Sequence, residues 1–301
     1  MEINNIHDKF FKSMLGNMTI AKEFISAFLP KKTLDVIDID TLTYANTEYV
    51  FDDLKDVFSD MVFSCKLKEN KEKDSYISII LEHKSYRDKF TAIQLLLYIS
   101  YGYYTQYKNT KAIEPIIPLV FYHGKKGWHY KPIVELFNGL PKELKKYIPV
   151  FDTKFVDLGK FSDEQLERLG NAMLESMLLL QKYSTNPDKL ADKLLLIYKK
   201  LDSVKDRNFI RTIVVYSLEI VKLKKVELIL EELPKTLKKE VMTAYDTLIE
   251  RGMQEGSTKK AIKVILNGYK KGLTIEFLSE ITEIPIDEVK EILKKNGMLD
   301  S

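Results

Sequence analysis

The chain has 301 residues, and its 47 Lys plus Arg against 44 Asp plus Glu leave a net charge of only +3. That balance excludes a histone-like polyanion binder and requires any nucleic-acid surface to be local. One cysteine, Cys65, excludes an internal disulfide and fits a reducing cytoplasm, and four scattered histidines give no zinc constellation. The opening 1-MEINNIHDKF has no signal-sequence character and no apolar run reaches the length of a membrane span, so no membrane association is expected.

Ile6, Phe10, Met14, Ala21, Phe24, Ile25 and Phe28 recur at helical spacing before Leu29-Pro30 and predict one first helix with an apolar stripe over a sheet. The run 34-LDVIDIDTLTY-44 alternates like a strand, and 49-YVFDDL-54 reads as a short second extended piece. Segments 58-FSDMVFSCKL-67 and 76-YISIILEHKS-85 have strand character, and the polar 68-KENKEKD-74 between them has the composition of a hairpin loop. A loop symmetric about Lys71 sets Met61 opposite Leu81, Phe63 opposite Ile79 and Cys65 opposite Ile77 on one buried face. The same register sets Asp60 opposite Glu82.

Two carboxylates directly across a strand pair repel each other unless something compensates. A hard cation such as Mg²⁺ would do so, because it binds through one or two carboxylates and completes its shell with water and phosphate oxygens. Lys84, two residues beyond Glu82, projects from the same face and can reach the same phosphate. Asp60, Glu82 and Lys84 thus form the D…E-x-K arrangement of a metal-dependent phosphodiesterase, with Asp60 and Glu82 as metal ligands.

Residues 88–107 are apolar around most of their circumference and predict a helix buried against the sheet, with Gln94 and Tyr98 meeting at i,i+4. The β-rich 115-PIIPLVFYHG-124 suits an internal strand running parallel to an earlier one. Two further residues are candidate auxiliaries. Asp8 lies near a helix start, where the macrodipole stabilises a carboxylate whatever its other role. His123 is a candidate phosphate contact or proton carrier, and a satisfied residue at a strand end otherwise.

From about Phe161 the stretches 163–183, 187–201 and 206–221 carry leucine, isoleucine and methionine at helical spacing, the pattern of a helix-bundle core. Pro187 and Pro234 are placed as helix starters. Residues 258–272 and 274–297 read as helices with a turn near Glu283-Ile284-Pro285, a helix-turn-helix-like end. Its last helix mixes Asp287, Glu288 and Glu291 with Lys290, Lys294 and Lys295, which favours packing or assembly over a close approach to phosphates.

The run 82-EHKS-85, together with 7-HDKFFK-12, 29-LP-30, Asp60, 116-IIPLVFYHG-124 and Trp128, resembles the recombination-promoting nucleases, also described as YhgA-like transposases, of the PD-(D/E)XK nuclease superfamily. The resemblance covers roughly the first half of the chain and continues weakly beyond it. It implies an α/β restriction-endonuclease-like core, a central mixed sheet flanked by helices, over residues 1–160, followed by an all-α domain over 161–301. It implies a Mg²⁺-dependent DNA endonuclease of low sequence specificity, with Mn²⁺ able to substitute, linked to recombination, mobile elements or phage defence. Carried over to this chain, Asp60 and Glu82 are the metal ligands and Lys84 the third catalytic residue, and Gln94-x-x-x-Tyr98 resembles an element that some branches set beside the active site. Ser59 stands where the superfamily name has proline, and many members of the family have glutamine at the Lys84 position. DNA and a second copy of the chain are the expected partners. A non-catalytic DNA-binding or interaction protein that keeps the fold is the alternative.

Overall fold

The computed structural model describes residues 3–45, 61–68, 76–110, 113–221, 230 and 232–299. Five strands, β1 (Ile37–Tyr44), β2 (Met61–Leu67), β3 (Tyr76–Lys84), β4 (Ile116–Tyr122) and β5 (Lys154–Asp157), lie side by side in chain order. β1, β2 and β3 pair antiparallel, whereas β3, β4 and β5 pair parallel. Met61 faces Leu81, Phe63 faces Ile79 and Cys65 faces Ile77, the register expected from the hairpin. Asp60, the loop centre at Lys71 and the segment 49–54 lie outside the described residues.

The N-terminal apolar stripe is carried by two helices rather than one, α1 (Ile3–Leu15) and α2 (Met18–Phe28). The break falls at Gly16-Asn17, where the Asn17 side chain accepts hydrogen bonds from the backbone N–H groups of Thr19 and Ile20 and so starts a new helix. The expected strand from Leu34 is also shorter. Pro30 opens a helix, α3 (Lys31–Val36), and extended backbone begins only at Ile37. The helix after the hairpin, α4 (Thr91–Thr110), packs on β4. It is not buried all round, for Phe90 just before it and Ile93, Leu97, Tyr104 and Tyr107 on it stay exposed.

Both faces of the sheet are covered, as parallel strands require. One face, with Val62, Ile80, Val120 and Tyr122, packs against Leu95, Tyr98 and Ile99 of α4 and against Trp128. The other carries Phe63, Ile79, Leu81 and Phe121, each at 0 to 1% exposure, and meets the aromatic side chains of α1 and α2. Fully burying one such side chain contributes about 1.5–3 kcal/mol.

A one-turn helix α5 (Lys142–Lys145) precedes β5, a strand too short to announce itself in the sequence. The helices that follow are α6 (Asp163–Glu167), α7 (Ala172–Tyr183), α8 (Pro187–Leu201) and α9 (Arg207–Ile220). Side-chain caps from Ser162, Asn171, Asn186 and Asp206 satisfy their first free N–H groups. α7 packs on α2 and α9 on α1, with Tyr216 stacked on Phe10 at 3.8 Å. These helices complete the cover of the sheet. The chain accordingly divides into compact units at Glu240/Val241, and not at the expected boundary near Lys160.

A long helix, α10 (Lys235–Lys270), runs into the second unit, where α11 (Ile275–Thr282) and α12 (Ile286–Lys295) close a small core of Ile265, Leu278, Val289 and Leu293. Gly268 permits this, since a Cβ there would come within 2.5 Å of Leu278. Among the described residues no helix is long and apolar enough to cross a membrane.

The helix-covered face also encloses three of the four histidines of the sequence. His83 stacks on His123 at 4.8 Å and on Phe11 at 4.1 Å, and His7 meets His123 edge-on at 5.3 Å while its Nδ1 lies 2.5 Å from the Tyr216 hydroxyl. Burial depresses all three pKa values, that of His7 to about 4, and the neighbouring imidazoles add to the effect on His7 and His123. The folded chain therefore holds them neutral, while unfolding lets them bind protons below their ordinary value of 6.5. Stability should be fully present above about pH 6.5 and fall progressively as the pH drops toward 4. Urea unfolding across that window should show the slope, and His123→Asn should reduce it by up to about 1.4 kcal/mol per pH unit.

Candidate active site

Glu82 and Lys84 are two residues apart on β3, so the pleat aims both side chains at one face, while His83 between them points into the histidine cluster on the other. They sit at the carboxyl end of the parallel part of the sheet, opposite Val120 and Tyr122 of β4. Ligands of open α/β sheets bind outside that end of the strands. Only 2% of Glu82 and 7% of Lys84 is exposed.

The buried charges are paired. Lys84 Nζ lies 2.7 Å from Glu82 Oε1, donates to Gln94 Oε1 at 2.8 Å and reaches Asp88 Oδ2 at 3.5 Å. Gln94 in turn donates from Nε2 to the Tyr98 hydroxyl one turn further along α4. The amide thus spends its acceptor on the ammonium and its donor on the phenol, which fixes the lysine from behind. Burial pulls the Lys84 pKa down, but the Glu82 carboxylate overrides it and the net shift is upward. Burial pushes the Glu82 pKa up and Lys84 only partly opposes this, with Asp88 and Asp8 adding repulsion.

One atom is left over. Glu82 Oε2 is buried without a hydrogen-bond donor among the described residues. A carboxylate oxygen without a donor is costly unless something else satisfies it, and a hard divalent cation is a fitting partner for it. Among the described residues no three His, Cys, Asp or Glu side chains gather into a metal cluster. Asp60, the residue expected to be a second ligand, lies outside the described residues.

The auxiliary candidates separate. Asp8 on α1 pairs with Lys12 at 2.9 Å and approaches His83 at 3.8 Å, so burial, which raises its pKa, is outweighed by these partners. Gln94 and Tyr98 join Lys84. His123 does not, for it lies on the opposite face at 2% exposure, with Nδ1 3.3 Å from Ser184 Oγ. Gly124 after it is set by packing, since a Cβ would collide with the Tyr122 ring.

Two carboxylates that the sequence reading passed over also shape the site. Asp88 takes the Phe90 N–H at 2.9 Å while contacting Lys84, and its signal was its position four residues after the lysine at a helix start. Asp157, at the end of β5, accepts from the Trp128 and Gly159 backbone N–H groups at 3.1 Å and pins the loop after β4. That contact spans distant parts of the chain and left no local signal.

A family model described as "Putative transposase, YhgA-like" matches residues 5–211, which include β3, α4 and the loop after β4. The chain belongs to this family. The α/β core with its five-stranded mixed sheet and following helices is accordingly of the restriction-endonuclease-like kind. A recombination-promoting nuclease of Escherichia coli O157:H7, RpnD, is 30% identical over 123 residues, covering 40% of this chain and 46% of that protein. Another from Escherichia coli K12, RpnA, is 29% identical over 126 residues, 39% of this chain and 40% of that protein. The chain thus spans less than half the length of these two relatives. An inactive recombination-promoting nuclease-like protein of Escherichia coli K12, RpnE, is 24% identical over 292 residues, 92% of this chain and 94% of that protein. No solved structure matches the chain.

The ion pair predicts an asymmetry in stability. Lys84→Met leaves Glu82 buried and uncompensated, and should cost about 3–5 kcal/mol in urea unfolding at neutral pH. The double variant Glu82→Gln, Lys84→Met should recover most of that loss.

Proposed function

We propose that the chain is a Mg²⁺-dependent DNA endonuclease of low sequence specificity, with Mn²⁺ able to substitute, acting in the cytoplasm in recombination, on mobile elements or in phage defence. The observation that carries this reading is the donorless Glu82 Oε2 beside an ammonium held by Gln94 at the carboxyl end of the parallel strands. Family membership and the two relatives named as nucleases support it.

Glu82 Oε2 and Asp60 would hold the cation, which when bound supplies Lewis-acid polarisation of a phosphoryl oxygen. The chain's own groups supply the rest. Lys84, paired with Glu82 and held by Gln94, would act electrostatically, neutralising charge that develops on the scissile phosphate. Gln94 and Tyr98 keep the ammonium aimed, which removes reorganisation from the reaction step. In this reading residues 258–297 serve assembly into a homodimer, since Asp287 and Glu291 already engage Lys290 and Lys295 on α12.

A second reading, a non-catalytic DNA-binding or interaction protein on the same fold, is favoured by one observation. The relative matched along 94% of its length is named inactive.

Nicking of supercoiled plasmid by the purified chain decides between them. Activity should appear with Mg²⁺ or Mn²⁺ and vanish with EDTA. Glu82→Gln and Asp60→Asn should each lose on the order of 10²-fold or more, and Lys84→Gln should retain more activity than Lys84→Ala. No nicking with either metal supports the second reading.

A further inference from the structure

Beside Glu82 and Lys84 a cleft of about 780 Å³ opens between the β3–α4 turn and the loop after β4. Arg87, Lys89, Phe90, Trp128, Tyr130 and Lys131 line it. We propose that this cleft seats an unpaired nucleotide, so that the preferred substrate is DNA with a single-stranded stretch rather than intact duplex. The inference deepens the nuclease reading and rests on it for the reaction, though not for the binding.

Charge points to a polyanion. Arg87, Lys89 and Lys131 stand in the lining, and Lys125 and Lys126 precede Trp128 on the same loop. Two carboxylates share the wall, Asp88 and Glu135, and Asp88 is already engaged by Lys84 and by the Phe90 N–H. In a chain of net charge +3 this is a local basic surface at the mouth of the site. Phosphate contacts of this kind supply affinity without reading sequence.

Aromatic surface points to a free base. Phe90 is 55% exposed at the edge of the cleft. Behind it the wall is rigid, with Trp128 packed edge-on against Tyr122 and Phe155 at 5.1 Å, and Tyr130 stacked on Phe155 at 5.4 Å. The loop that carries this wall is tied at several points. Arg87 Nε and the Tyr122 hydroxyl both donate to the Lys126 carbonyl, at 3.4 and 2.6 Å, and Asp157 holds the Trp128 N–H. Basic side chains alternating with aromatic rings form the surface on which unpaired bases stack. A duplex keeps its bases paired and stacked on each other and has no free face to offer Phe90. Asp88 links the cleft wall to Lys84.

Binding to the full chain in EDTA, where nothing is cut, tests this. Fluorescein-labelled oligodeoxythymidylate should bind more tightly than a blunt duplex of equal length, and should quench Trp128, the single tryptophan of the sequence. Phe90→Ala, an exposed position that leaves the core intact, should weaken single-strand binding roughly tenfold, the scale of one stacked base, and leave duplex binding unchanged. Equal affinity of wild type and Phe90→Ala for the single strand, or binding without a change at Trp128, overturns the proposal. Phe90-dependent binding in a chain that never nicks plasmid overturns the nuclease reading and leaves the cleft standing. Nicking by a chain whose binding ignores Phe90 does the reverse.

Discussion

The site is organised around an ammonium and a carboxylate held 2.7 Å apart where almost no solvent reaches them. Such a pair is expensive to bury, because each ion gives up its hydration and their attraction repays that only when the remaining donors and acceptors are satisfied. Lys84 is satisfied, by Glu82, Gln94 and Asp88. Glu82 is not, because its second oxygen has no donor among the described residues. A fold concerned only with stability would place an apolar pair here, as it does at Ile80 and Val120 a few ångströms away. The unpaired oxygen is where the ion pair still lacks a partner among the described residues.

β3 separates two polar systems by the pleat alone. Glu82 and Lys84 face α4, while His83 faces α1 and enters a column of rings with His123 and Phe11. The first system is charged, and Asp88 ties it to the cleft wall. The second is enclosed by α1, α7 and α9, where burial depresses the histidine pKa values. Asp8 lies between them, touching His83 and adding to the field at Glu82. Relatives of this chain are named both as nucleases and as inactive, in keeping with the rule that a fold alone does not decide activity.

Much of this was legible in the residues. The β2–β3 register followed from the symmetry of a polar loop between two apolar runs, because a slip of one residue would expose every core side chain of the hairpin. The Gln94–Tyr98 contact followed from the helical repeat. Periodicity could not show that Gly16-Asn17 splits the first helix, since the apolar stripe continues through the break, nor that four residues around Phe155 form an edge strand. The boundary near Lys160 followed a change in composition, but the helices beyond it cover the sheet and belong to its unit.

Strand alternation and net charge, properties of neighbours and of sums, suffice to read off the pairing of β2 with β3, the shared face of Glu82 and Lys84, and the need for any nucleic-acid surface to be local. Tertiary contacts alone place His123 in the core on the face opposite Lys84, set Gln94 against the ammonium and bring the loop after β4 back to form a cleft beside it. Those facts depend on contacts such as Trp128 with Asp157 and His7 with Tyr216, between residues far apart in the chain. No local pattern encodes such contacts, since each forms only when the sheet and its covering helices have packed.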